Sequence, residues 1–170
     1  MTNRSITTKA LGPDFPVPID DRYFEDYLEG GAYEYGHTSV TEEEIVRYAE
    51  LYDPQSMHVD REWATHGPFG QLIASGWHTS ALMMRLFADH YISSVASIAS
   101  PGCDELRWAV PVRAGDELRL RVTTVEARRS RSKPDRGLLR TRVEMINQRD
   151  EVPLRMTAMN LVLLRDPTGS

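Results

Sequence analysis

Apolar and polar positions divide this chain into a largely helical first part and an alternating second part. Ile45, Tyr48, Ala49 and Tyr52 recur three or four residues apart, the spacing of one helix face. Just before them, Thr41-Glu42-Glu43-Glu44 forms a capping box, and its acidic residues suit the positive end of a helix dipole. Pro54 disfavours the α conformation at Asp53, so the helix is expected to stop there. A loop over 54–58 and a short helix over 60–64 should follow, then a turn at Gly67-Pro68-Phe69-Gly70. Next comes the longest apolar segment, Leu72 to Ile92. Its Leu82, Met83, Met84, Leu86 and Phe87 point around most of a helix's circumference, which predicts a helix buried on nearly all sides.

Beyond residue 100 the period becomes two. Glu117 to Glu126 places Leu118, Leu120 and Val122 on one face, and Leu138 to Asn147 repeats the pattern. Leu154 to Leu164 and Cys103 to Val110 read as two further strands, with turn residues at 111–116 and 133–137. An earlier strand is expected near Ala32–His37, after an aromatic-rich stretch broken by Gly30-Gly31. Residues 1–20, polar and with prolines at 13, 16 and 18, are expected to form an irregular leader. The remaining residues, 21–166, read as one domain without repeats or linkers. Consecutive strands on short turns favour antiparallel pairing, and such a sheet can curl around a helix. The fold class is α+β, with the helices on one face of the sheet.

Composition narrows the function classes. The 170 residues are 41% hydrophobic and 26% charged, as in ordinary globular proteins. No apolar run approaches the roughly 20 residues of a membrane span, and the first residues lack the apolar centre of a signal peptide. A cytoplasmic, non-membrane protein is therefore expected. The single cysteine, Cys103, excludes an internal disulfide or a Cys-rich metal site, and His37, His66, His78 and His90 lack metal-ligand spacing. A formal charge of −5 argues against nucleic-acid binding. Seven basic residues between Glu126 and Arg142 read as a solvated hairpin, or as a patch for the phosphates of a ligand. Trp63, Trp77 and Trp108 are expected in the core.

Two segments carry candidate chemistry. Tyr52-Asp53-Pro54-Gln55-Ser56-Met57-His58 sets a carboxylate and an imidazole five positions apart, just after a helix. They could share one water and move its protons, or His58 could simply brace the loop. Ser75-Gly76 opens the long helix, where unpaired amides and a partial positive charge are available. Without a Cβ at Gly76, a ligand oxygen can approach the backbone, as in an oxyanion hole. The plainer alternative is that Gly76 lets the helix start in a tight space.

Tyr48, Tyr52, Asp53, His58 and Ala64 form the pattern Tyr-x3-Tyr-Asp-x4-His-x5-Ala, followed by an apolar run into Ser75-Gly76. Together these resemble the MaoC-like dehydratases, which include the (R)-specific enoyl-CoA hydratases. The stretches GPFGQLIASGWHTSALMMRL, GCDELRWAVPVRAGD and RSRSKPDRG are similar to single-domain bacterial members. The resemblance spans about residues 22–165. It implies a hotdog fold, with a long helix over about Gly76–His90 wrapped by a curved antiparallel sheet. It further implies a homodimer or higher homo-oligomer, an acyl-CoA substrate and no metal or organic cofactor. By the same resemblance Asp53 and His58 are the catalytic pair, and Gly76 and Ser75 lie at the thioester oxygen. The implied reaction is reversible hydration of a trans-2-enoyl-CoA, or dehydration of a 3-hydroxyacyl-CoA. A thioesterase and a non-catalytic acyl-CoA-binding subunit are the alternatives. The chain departs from the hydratase pattern Asp-x-Asn-Pro-x-His: Gln55 stands for Asn and the proline has moved, while Ser75 stands for a frequent His and Met84 where some hydratases carry a serine.

Overall fold

The computed structural model describes residues 6–167; residues 1–5 of the leader lie outside them. Six antiparallel strands form one sheet: β1 (Ile6–Ala10), β2 (Ala32–Ser39), β3 (Ser97–Trp108), β4 (Glu117–Arg129), β5 (Arg136–Ile146) and β6 (Leu154–Leu163). Their order across the sheet is β1-β2-β4-β5-β6-β3. Four helices lie between β2 and β3: α1 (Glu42–Tyr52), α2 (Ser56–Val59), α3 (Arg61–His66) and α4 (Gly76–His90).

Helix α1 starts as its capping box predicts. Thr41 Oγ1 accepts from the Glu44 amide, and Glu44 reaches back to the Thr41 amide, each at 3.2 Å. Such a cap contributes about 1 kcal/mol. The helix stops at Tyr52, where Asp53 leaves the helical region ahead of Pro54. Ile45 and Ala49 turn into the core.

The sheet curls around α4, giving the hotdog arrangement. Leu82, Leu86 and Phe87 of α4 meet the inward faces of the strands, among them Leu118, Leu120 and Val122 of β4, Leu139, Val143 and Met145 of β5, and Val162 of β6. Alternation along β4 and β5 puts these residues inside and their arginines outside. Several of those arginines carry ion pairs, as Arg128 does with Glu126 of its own strand and Arg140 with Asp104 of β3, each at 2.9 Å. This matches a solvated hairpin.

Four expectations are corrected. The leader is not wholly irregular, because Ile6–Ala10 adds a strand to the edge of β2, with Lys9 opposite Gly36. Strand β3 follows the helices but does not pair with β4; it crosses to the far edge and pairs with β6. Helix α4 is not buried all round: Trp77, Ala81, Met84 and Ala88 form an exposed stripe along it. Trp63, Trp77 and Trp108 are each about half exposed rather than in the core. Hydropathy records what a side chain costs in water, not which face this chain covers by itself.

Candidate active site

Three segments meet at the amino end of α4. His58 lies not in a loop, as expected, but in the single turn α2, whose preceding residue Gln55 is extended. That turn swings the imidazole inward, where the residue is only 5% exposed. Ile73 clamps it from the second segment: its amide donates to the Met57 carbonyl at 3.3 Å, and its own carbonyl lies 2.7 Å from His58 Nδ1. The Ala74 amide then donates to the Val112 carbonyl at 2.8 Å, tying in the third segment.

The Ile73 carbonyl can only accept, so Nδ1 carries a proton. In the neutral imidazole Nε2 is then left as an acceptor. It faces Asp53 Oδ2 at 3.5 Å, too long for a good direct hydrogen bond. Two acceptors at this separation suit a molecule with two protons to donate, and water is the simplest one. When the imidazole is protonated, the same pair becomes an ion pair.

Asp53 is held by two further groups. Gln55 Nε2 donates to Oδ1 at 2.7 Å, and Ser75 Oγ donates to Oδ2 at 2.6 Å. The Ser75 hydroxyl and then the Gln55 amide hold the Asp53 carboxyl below its usual range against the opposing effect of burial, and His58 adds a smaller lowering. A carboxyl depressed in the folded state adds stability above its unfolded value of about 4, and that increment is lost as pH falls through the lower folded value. The wild type should therefore carry an acid-labile stability increment that Asp53→Asn lacks. Urea midpoints at about pH 6 and about pH 3 measure it, and equal acid dependence in both proteins would contradict it.

A cavity of about 250 Å³ opens beside the pair. His58, Gly76 and Thr79 lie on its wall together with apolar Phe69, Trp108 and Val112. The cavity thus joins His58 to Gly76 at the start of α4, where backbone amides have no intrahelical acceptor. Gly76 has a second reason to be glycine: a Cβ there would sit 2.4 Å from Cδ2 of Trp108. The indole rests on the helix start and donates from Nε1 to Ser80 Oγ at 3.2 Å.

The expected site residues therefore do not all play the same part. His58 and Gly76 share the cavity wall, and Asp53, itself not on that wall, approaches His58. Ser75, expected at the substrate oxygen, is absent from the cavity wall, and its hydroxyl faces Asp53. Met84 is also absent from that wall and is 46% exposed on the outer stripe of α4. His78 is a packing residue, its ring stacked 4.6 Å from that of Tyr48. Sequence reasoning missed the part of Trp108, for which the tight space expected at Gly76 was the only signal. Gln55 was noted only as a departure, although its amide reaches the carboxylate. A larger recess, about 460 Å³, lies on the outer sheet face near Arg107, Arg142 and Arg155, and is lined by none of the residues of the pair. Among the described residues no cluster of His, Cys, Asp and Glu is arranged to hold a metal, and no helix is long and apolar enough to cross a membrane.

Known proteins resemble this chain. The family model of the MaoC like domain matches residues 29–146. YdeM of Bacillus subtilis is 29% identical over 126 residues, covering 74% of this chain and 88% of YdeM. The 3-hydroxyacyl-thioester dehydratase Z of Mycobacterium tuberculosis is 37% identical over 83 residues, covering 48% of this chain and 55% of that enzyme. This chain therefore aligns with about half of that dehydratase. Among solved structures, the MaoC-like dehydratase from Rhodospirillum rubrum superposes with a TM-score of 0.79 at 36% identity, covering 85% of this chain and 99% of that one. The chain belongs to the MaoC-like dehydratase domain family.

Proposed function

We propose that this protein reversibly hydrates a trans-2-enoyl thioester, or dehydrates the corresponding 3-hydroxyacyl thioester, with CoA as the carrier. The observation that carries the reading is the 3.5 Å approach of His58 Nε2 to Asp53 Oδ2, beside a largely apolar cavity that reaches the amides of α4. The family's dehydratase members support the reaction class.

In the hydration direction, a single water donates one of its protons to Nε2 and the other to Oδ2. Its oxygen attacks Cβ of the enoyl group as one of those protons passes to the pair. The electrons of the C=C bond move toward the thioester, and the resulting enolate oxygen is received by the Gly76 amide and the positive end of α4. The proton taken up by the pair then returns to Cα. Atoms and charge balance without a metal or organic cofactor. Dehydration runs through the same steps in reverse.

Purified protein mixed with a short trans-2-enoyl-CoA is expected to cause loss of the enoyl-thioester absorbance. Release of free thiol without hydration would replace this reading with a thioesterase, and tight CoA-ester binding without turnover would replace it with a carrier subunit.

The same reading includes a homodimer. Strand β3 is an edge with exposed residues along most of its length, and it lies at the end of the sheet. An uncovered edge invites pairing with another strand. The apolar stripe Trp77, Ala81, Met84 and Ala88 is likewise uncovered in a single chain. Light scattering is expected to give at least twice the single-chain mass; a monomer at micromolar concentration would remove this part of the proposal.

A further inference from the structure

Ser75 is fully buried, and both hydrogen-bonding capacities of its hydroxyl are engaged. Its Oγ accepts from the Trp77 amide at 3.2 Å and stands 2.6 Å from Asp53 Oδ2. An amide can only donate to Oγ, and a carboxylate can only accept, so the single hydroxyl proton must point at Asp53. We infer that Ser75 is a positioning residue for the Asp53 carboxylate, linking it to the amino end of α4. This rests on the reading of Asp53 and His58 as the catalytic pair.

The oxygen that Ser75 contacts is the one that faces His58 Nε2. Ser75 occupies one acceptor direction of Oδ2 and leaves another for the shared water. Gln55 holds Oδ1, so the carboxylate cannot rotate without losing both bonds. The two contacts are not equivalent. The Gln55 bond is exposed, and water can replace it, whereas the Ser75 residue has no exposed surface. A chain of donors also runs from the Trp77 amide through the hydroxyl to the carboxylate, and it carries the polarity of the helix end to Asp53. Both bonds favour the ionised carboxylate, so His58 is the member of the pair that takes the transferred proton. The titratable groups around Asp53 are His58 on α2 and Tyr48 on α1, the latter held above its ordinary range by burial, then by Tyr52 and by Asp53 itself.

A serine that only capped the helix would need the Trp77 contact alone. The two roles separate by substitution, because glycine is a tolerated N-cap and alanine is a poor one. The Asp53 carboxyl carbon, assigned by its loss in Asp53→Asn, would be titrated by carbon-13 NMR in the wild type, Ser75→Gly, Ser75→Ala and Ser75→Thr. The Asp53 titration is expected to rise in the Gly and Ala variants, because the Ser75 hydroxyl is the first cause of its depression. The acid limb of kcat/KM should move with it. Ser75→Gly should keep a near-native thermal midpoint, and Ser75→Thr, which retains the hydroxyl, should restore the wild-type titration. Gln55→Ala should produce the smaller shift. If Ser75→Gly leaves both the Asp53 titration and the pH profile unmoved, Ser75 is only a cap and the inference is overturned. Should Asp53→Asn keep full turnover, the catalytic reading fails instead, and the NMR titration still decides the role of Ser75.

Discussion

Asp53→Asn and His58→Ala are each expected to lower the hydration rate of a short trans-2-enoyl-CoA by about 10²–10⁴-fold, the range for loss of a positioned acid–base group. The first change keeps the size of the side chain but removes the charge that accepts a hydrogen bond from the water. The His58 change would remove Nε2 and free the Ile73 carbonyl, which Nδ1 now approaches at 2.7 Å. Because the two residues address one water, the double variant should be little worse than either single variant. Stopped-flow absorbance on all three proteins, with thermal melts to confirm folding, measures the effect. Turnover at the wild-type level in both single variants would remove these residues from the mechanism. A multiplicative loss in the double variant would show that they act on separate steps.

Gly76→Ala should have the next largest effect, and its cause can be isolated. The new methyl carbon would lie 2.4, 2.6 and 2.9 Å from Cδ2, Cε2 and Cε3 of Trp108. No real pair of carbons rests that close, so the indole must leave. It would give up its bond to Ser80 and its edge contact with Trp77, whose ring centroid lies 4.9 Å away. Overpacking of this kind costs about 1–3 kcal/mol. Because Trp108 is 44% exposed, the ring has room to swing outward, so a folded but weakened protein is expected. In a Trp108→Ala background the same Gly76→Ala change should be close to neutral in urea denaturation. Activity in that double variant distinguishes the two reasons for the glycine. Alanine keeps its backbone amide, so turnover close to that of Trp108→Ala alone means that Gly76 serves the tryptophan. Further loss means that a ligand needs the space as well. A destabilisation by Gly76→Ala that persists without Trp108 would contradict the packing argument.

Much of the site could be read before any coordinates. The capping box at Thr41, the stop at Asp53 before Pro54 and the start of α4 at Gly76 all depend on neighbours within about four residues, and each lies where the pattern placed it. These three features already bring Asp53 to a helix exit and Gly76 to a helix entrance. The turn that carries His58 was less legible. Ser56–Val59 is too short for a periodic signal, and the Ile73 backbone holds it through contacts from 15 residues away. Gln55 was legible only as a departure, and Ser75 was expected at the thioester oxygen rather than at Asp53. Ser75 meets Asp53 across 22 residues, and nothing in either local sequence reports that bond.

The division follows the range of the forces. Helix ends, strand alternation and the α+β class arise from backbone sterics, capping and side-chain period, which act between near neighbours and are written in adjacent residues. The placement of β3 beside β6, the addition of Ile6–Ala10 to β2, and the settling of Trp108 on Gly76 are different in kind. Each was selected among many ways of burying similar apolar area by the shape of the complete core. The same closure set the hydroxyl of Ser75 against Asp53, and so decided which polar group steadies the carboxylate.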